Sequence, residues 1–210
     1  MRVAILGAEC TGKSTLCQAL ANHLGANDTT WQLAAEYLRE WCQHHQRTPE
    51  RAEQQHIAQE QAHRVDALTS KGFSVLADTT PLMTAVYSDV LHQDATLYAA
   101  AVAHQRSYDL TFVAGTDLPW IADGIQRDGE AVRREVDRKL RSVLQVHQIP
   151  HTVICGVGPS RTRSALETIA HWQKKPLARS LHDTERKWSC ECCSDPDCEH
   201  QLFSRLLARP

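Results

Sequence analysis

Gly7-Ala8-Glu9-Cys10-Thr11-Gly12-Lys13-Ser14 places four residues between two glycines and follows the second with a lysine and a hydroxyl. That spacing suits a phosphate chain. The glycines let backbone N–H groups wrap an anion, and the start of the following helix adds positive potential. Lys13 reaches β- and γ-phosphates, and Ser14 offers its hydroxyl to Mg²⁺. Gly7, Glu9, Cys10, Thr11, Gly12, Lys13, Ser14 and Thr15 are the candidate residues for holding ATP.

Asp78 ends an apolar run, Phe73-Ser74-Val75-Leu76-Ala77, and begins Asp78-Thr79-Thr80-Pro81. An acid there either holds Mg²⁺, accepts a proton from an attacking hydroxyl, or caps the helix that follows. Glu36, Arg39 and Glu40 share one helix side at i, i+3 and i+4, which fits a solvated ion-pair face as well as a substrate site. The segment from Trp120 to Arg127 is a glycine-containing loop bearing Asp123, with Arg133, Arg134 and Arg138 beyond it. Arginines on a segment over a phosphate site neutralise charge and exclude water. Arg133, Arg134 and Arg138 individually read as surface helix residues.

The elements that position these groups alternate. Arg2-Val3-Ala4-Ile5-Leu6 reads as a buried strand, and residues 14–24 as a helix with Leu16, Ala19, Leu20, Ala21 and Leu24 on one face. Residues 25–28 read as a turn, 31–45 as a helix, and a long helix runs from Pro49 to about Ser70. Residues 73–77, 110–114 and 151–155 read as strands; 81–91, 94–105, 130–147 and 160–172 as helices. The pattern predicts an α/β fold: a three-layer sandwich around a mostly parallel sheet, with ligands at the C-terminal ends of its strands.

Composition is that of a globular domain, with 42% hydrophobic and 23% charged residues in 210. A formal net charge of -2 offers no footprint for nucleic acid or an anionic membrane. Without an apolar span or a signal peptide, the chain is expected in the cytoplasm. The partner implied is a small-molecule substrate; a protein partner or a second copy is not legible. Most of the 12 histidines sit on polar stretches such as His44-His45 and read as surface.

Four of the eight cysteines, Cys10, Cys17, Cys42 and Cys155, are dispersed, whereas Cys190, Cys192, Cys193 and Cys198 crowd the C-terminal end. Cys190, Cys193 and Cys198 with His200 supply three thiolates and an imidazole, enough for a closed structural zinc site; Cys192 is an alternative to Cys190. A reduced, unliganded thiol cluster is the other reading. The chain thus divides into a domain over residues 1–175 and, over 176–210, a connector with a cysteine-rich tail.

Together, the phosphate loop, Glu36-Tyr37-x-Arg39-Glu40-Trp41, His56-Ile57-Ala58-Gln59-x-Gln61, Asp78-Thr79, Pro119-Trp120-Ile121-Ala122-Asp123-Gly124-Ile125-x-Arg127, and Gly156 followed by Arg161 resemble the AAA_28-type P-loop ATPase and kinase family. That family includes NadR-type ribosylnicotinamide kinase domains, and the likeness covers roughly residues 1–172. The resemblance implies transfer of the ATP γ-phosphoryl group to the 5′-hydroxyl of nicotinamide riboside, giving nicotinamide mononucleotide. Gly12, Lys13, Ser14 and Thr15 would hold ATP and Mg²⁺, with Arg161 also on the nucleotide side. Asp78 would contact the acceptor ribose or act as base; Glu36, Arg39, Trp120, Asp123 and Arg127 would form the substrate and lid side. Trp120 suits stacking on a flat cationic ring. Thr80 departs from the family's Asp-Thr-Asp, and the adenylyltransferase and DNA-binding domains of NadR-type proteins do not accompany this sequence. A regulatory ATPase or switch, docking a partner through its tail, is the alternative function; a kinase of another metabolite is a third.

Overall fold

The computed structural model describes residues 1–121 and 129–174. Five strands, β1 (Arg2–Leu6), β2 (Trp31–Ala34), β3 (Ser74–Asp78), β4 (Leu110–Ala114) and β5 (Thr152–Ile154), form one sheet in the order β2-β3-β1-β4-β5. Every neighbouring pair is parallel. Among the described residues, seven helices connect or follow them: α1 (Lys13–Asn27), α2 (Tyr37–His45), α3 (Gln54–Ser70), α4 (Pro81–His92), α5 (Tyr98–Gln105), α6 (Glu130–Val146) and α7 (Pro159–Lys174).

The central strand β1 shows why both faces are covered. Its side chains alternate, so Ala4 and Leu6 enter a core with Leu82, Val86, Leu140 and Leu144, while Val3 and Ile5 enter another with Leu16, Leu20, Phe112 and Ile169. Register sets Ile5 beside both Asp78 and Phe112. The phosphate loop leaving β1 and the acid ending β3 therefore emerge side by side.

Residues 31–45 differ from the single helix expected. Trp31–Ala34 pairs along β3, from Trp31 beside Ser74 to Ala34 beside Ala77, and α2 begins only at Tyr37. Leu33 and Ala34 favour helix locally, but pairing on the sheet edge and burial of Trp31 override that preference. Gly25 lies inside α1 rather than in a turn, and α5 starts at Tyr98 rather than near 94. Before α3, a 3₁₀ turn at Arg51–Glu53 carries a capping box between Glu50 and Glu53. No described helix is long and apolar enough to cross a membrane.

Candidate active site

The loop after β1 has the backbone its glycines imply. Gly7 has φ +144°, and a Cβ there would lie 3.0 Å from Ala114 O; Gly12 has φ +71°, and a Cβ would lie 2.9 Å from Leu118 Cδ1. Thr11 Oγ1 donates to Ala8 O at 2.7 Å and fixes the loop from within. No side chain caps α1, which leaves its leading N–H groups for an anion. Lys13 Nζ donates to Ala8 O at 2.8 Å. Burial lowers the Lys13 pKa, while the charges of Glu36 and Asp78 oppose that shift. Ser14 and Thr15 join Lys13 along the cleft described next.

This cleft of about 390 Å³ opens from the loop. One wall is Glu36, Leu38, Arg39 and Cys42, another is Thr48, Pro49 and Gln54, and α4 contributes Met83, Tyr87, Leu91 and His92. Glu36 is 16% exposed and lies 3.4 Å from Arg39 Nη2. Burial pushes its carboxyl above the ordinary range, against the pull of Lys13. The α4 residues are the part of the site that sequence reasoning missed. Their helical spacing is that of core residues, and only the fold shows that this face turns toward the phosphate loop.

Asp78 is 6% exposed at the end of β3 and does not line the cleft. Its Oδ1 has no hydrogen-bond partner. Burial, followed by the charge of Asp78, pushes the Cys17 thiol well up. The cap of α4 is Thr80 rather than Asp78: Thr80 Oγ1 accepts from Leu82 N at 3.3 Å. The same hydroxyl donates to Gln105 Oε1 at 2.6 Å, and Gln105 Nε2 donates to Thr111 Oγ1 at 3.0 Å. Thr80 thus belongs to a buried network beneath the site, which accounts for a hydroxyl where the family commonly carries a second acid. Between them, Thr79 lines the cleft at φ +68°, a costly conformation for a β-branched residue.

The segment after β4 closes on the loop. Trp120 Nε1 donates to Glu9 Oε1 at 2.9 Å, and Cys10 Sγ lies 3.3 Å from Ile121 O. Trp120 itself does not line the cleft, but its partner Glu9 does, so the indole stands beside the phosphate loop. Arg133, expected on the surface, is 4% exposed; its Nη2 donates to Thr116 O at 2.9 Å and Leu118 O at 2.7 Å, holding this segment by its carbonyls. Arg134 and Arg138 are exposed, as expected. Arg161 is 5% exposed beside Gly12, and its Nε and Nη2 have no partner. Burial lowers its pKa against the opposing charge of Asp117. A buried guanidinium with donors to spare, at the edge of the loop, suits a nucleotide.

Glu36, Arg39, Lys13, Ser14 and Thr15 are therefore brought to one cleft, Trp120 to Glu9 and Arg161 to Gly12 of the loop, and Asp78 to the strand end beside it. Asp123 and Arg127 lie outside the described residues, as do Cys190, Cys193, Cys198 and His200. Among the described residues, no group of three or more His, Cys, Asp or Glu is arranged to hold a metal ion.

Residues 2–161 match the AAA_28 family model, described as an AAA domain. The chain is 26% identical over 149 residues to the trifunctional NAD biosynthesis/regulator protein NadR of Escherichia coli (strain K12), covering 70% of this chain and 36% of that protein. It superposes with a TM-score of 0.67 and 20% identity on NadR protein in complex with NR, over 86% of this chain and 54% of the other. Deoxyadenosine kinase from M. mycoides matches with a TM-score of 0.56 and 14% identity, over 81% of this chain and 100% of the other. The structural likenesses establish a shared fold, and the chain spans between about a third and a half of the NadR proteins it matches. With the family model matching most of its length, the chain belongs to the AAA_28 family.

Proposed function

We propose that this protein is an ATP-dependent kinase that phosphorylates the 5′-hydroxyl of a nucleoside, with nicotinamide riboside as its acceptor. The observation that carries the reading is the position of Glu36: a partly buried carboxylate lines the same cleft as Lys13 and Ser14. Phosphate chain and acceptor hydroxyl would meet there. A nucleotide switch has no need of such a compartment, whereas a small acceptor does. The apolar wall of Leu38, Met83, Tyr87 and Leu91 supplies a surface for a flat ring. Similarity to NadR, one structure of which holds NR, supports the choice of acceptor.

In this reading, the loop amides and Lys13 bind the β- and γ-phosphates, and Arg161, beside Gly12, contacts the nucleotide. Glu36 orients the acceptor hydroxyl and accepts its proton. Ser14 and Asp78 would hold Mg²⁺, and the partnerless Oδ1 of Asp78 fits an outer-shell contact of that kind. When bound, the ion neutralises charge shared by the β- and γ-oxygens. Asp123 and Arg127 remain the proposed lid side of the acceptor. The test is ATP consumption across a panel of nucleosides, sugars and vitamins. Stimulation by nucleosides, greatest with nicotinamide riboside, is expected. A panel without a stimulating compound would favour the nucleotide switch.

A further inference from the structure

Glu36 lies in the short link between β2, which ends at Ala34, and α2, which begins at Tyr37. It stands at the N-cap of α2 without making a side-chain cap bond, so the first N–H of that helix needs another acceptor. A single side chain from another element provides it. Tyr37 N donates to Gln61 Oε1 at 2.8 Å, and Gln61 Nε2 donates to Ala35 O at 3.4 Å. Both peptides flanking Glu36 are therefore gripped by one amide. Gln61 is 2% exposed and sits within α3, so its own position is fixed by packing. An amide is suited to this task because it accepts and donates through one rigid group. Two other α3 residues hold the adjacent ring: His56 Nε2 lies 3.3 Å from Tyr37 Oη, and the Arg64 guanidinium lies 4.7 Å from the ring centre.

We infer that Gln61 is the positioning residue for Glu36, fixing the carboxylate against the acceptor side of the cleft from a helix that itself makes no contact there through Gln61. The inference rests on the kinase reading for what Glu36 does, but not for where it is held. Without the two amide bonds, the 35–37 backbone loses its side-chain anchor, and the Glu36 carboxylate gains freedom to turn toward solvent. The charged and titratable groups around it are Lys13 and Cys17 from α1, Asp78 from β3, and Arg39 and Cys42 from α2. None of them belongs to α3, so altering Gln61 changes the placement of Glu36 without removing a charge beside it.

The experiment compares wild type with Gln61→Leu and Gln61→Glu in the full chain, by acceptor kinetics and by the pH titration of the Glu36 carboxyl carbon in NMR. In Gln61→Leu, the titration should move down toward the ordinary carboxylate range. kcat/KM for the acceptor should fall about 10- to 100-fold, as for a group displaced by an ångström, with the KM for Mg-ATP held within about two-fold. Gln61→Glu keeps the acceptor for Tyr37 N but, when ionised, lacks the donor to Ala35 O; because its charge also acts on Glu36, it is read by kinetics alone, where the fall in acceptor kcat/KM should be smaller than in Gln61→Leu at a steady KM for Mg-ATP, and this is the readout if Gln61→Leu does not fold. An unchanged Glu36 titration in folded Gln61→Leu overturns the inference, as do equal losses toward ATP and acceptor in either variant. If wild type phosphorylates no nucleoside, the kinase reading fails, while the Glu36 titration still decides the role of Gln61.

Discussion

Glu9 and Trp120 are joined by a 2.9 Å hydrogen bond from the indole N–H to the carboxylate, across 111 residues of sequence. This ties the segment after β4 to the middle of the phosphate loop, with the Cys10–Ile121 contact beside it. The indole therefore acts on the loop's conformation.

Trp120→Phe keeps the ring but removes the donor. Loss of one such bond is worth about 1 kcal/mol, so the KM for Mg-ATP should rise roughly five-fold, with the acceptor KM nearly unchanged. Steady-state kinetics varying each substrate in turn check this. The opposite pattern would return Trp120 to the acceptor ring, where the sequence alone places it.

The two acids should separate in their effects. Glu36→Gln should lower kcat by about two to four powers of ten while preserving nucleotide binding. It should also abolish the acid limb of the pH–rate profile. Glu36 acts deprotonated and its pKa is raised, so wild-type turnover should already decline on the alkaline side of the ordinary carboxylate range. Asp78→Asn should chiefly raise the Mg²⁺ concentration needed for half-maximal rate. If instead Asp78→Asn removes the acid limb and Glu36→Gln retains it, the roles are exchanged.

The parts of the site legible in sequence are those written contiguously. Gly7 to Ser14 carries its loop in its own spacing, and the strand before Asp78 marks the sheet's C-terminal edge. Trp31–Ala34 is opaque because four residues with mixed propensities become a strand only when β3 lies alongside. Met83 and Tyr87 look like core, since a helix face toward a cleft and one toward a sheet share one periodicity. Arg133 reads as surface because the carbonyls that satisfy it, Thr116 and Leu118, lie in a preceding loop whose path no pattern reports. Gln61 is visible within a motif, but its work on residues 35–37 exists only across space.

The buried chain Thr80–Gln105–Thr111 should contribute to stability out of proportion to its size. Gln105→Leu removes the acceptor of the Thr80 hydroxyl, which keeps its bond from Leu82 N, and the donor to Thr111 Oγ1, at about 1–3 kcal/mol in all. Urea unfolding should show a lower midpoint at unchanged slope. A loss below about 0.5 kcal/mol would mean that the hydroxyls find other partners.

His104 should make stability fall in mild acid. Burial lowers its pKa from 6.5 despite Asp66 nearby, so the unfolded chain binds the proton more tightly. The contribution is complete above about 6.5 and is lost as pH falls below it. Urea midpoints at several pH values should decline less steeply for His104→Gln than for wild type. Parallel declines would remove His104 as a cause.

If the cleft beside Lys13 and Glu36 transfers a phosphoryl group to a nucleoside, the product itself is the decisive readout. Its most direct measurement is ³¹P NMR of nicotinamide riboside incubated with Mg-ATP and the protein, alongside Lys13→Ala. A 5′-phosphate monoester should appear in step with ADP for wild type, and none for Lys13→Ala, whose missing ammonium also weakens ATP binding. ATP that is consumed with release of inorganic phosphate alone, whichever nucleoside is supplied, would contradict it.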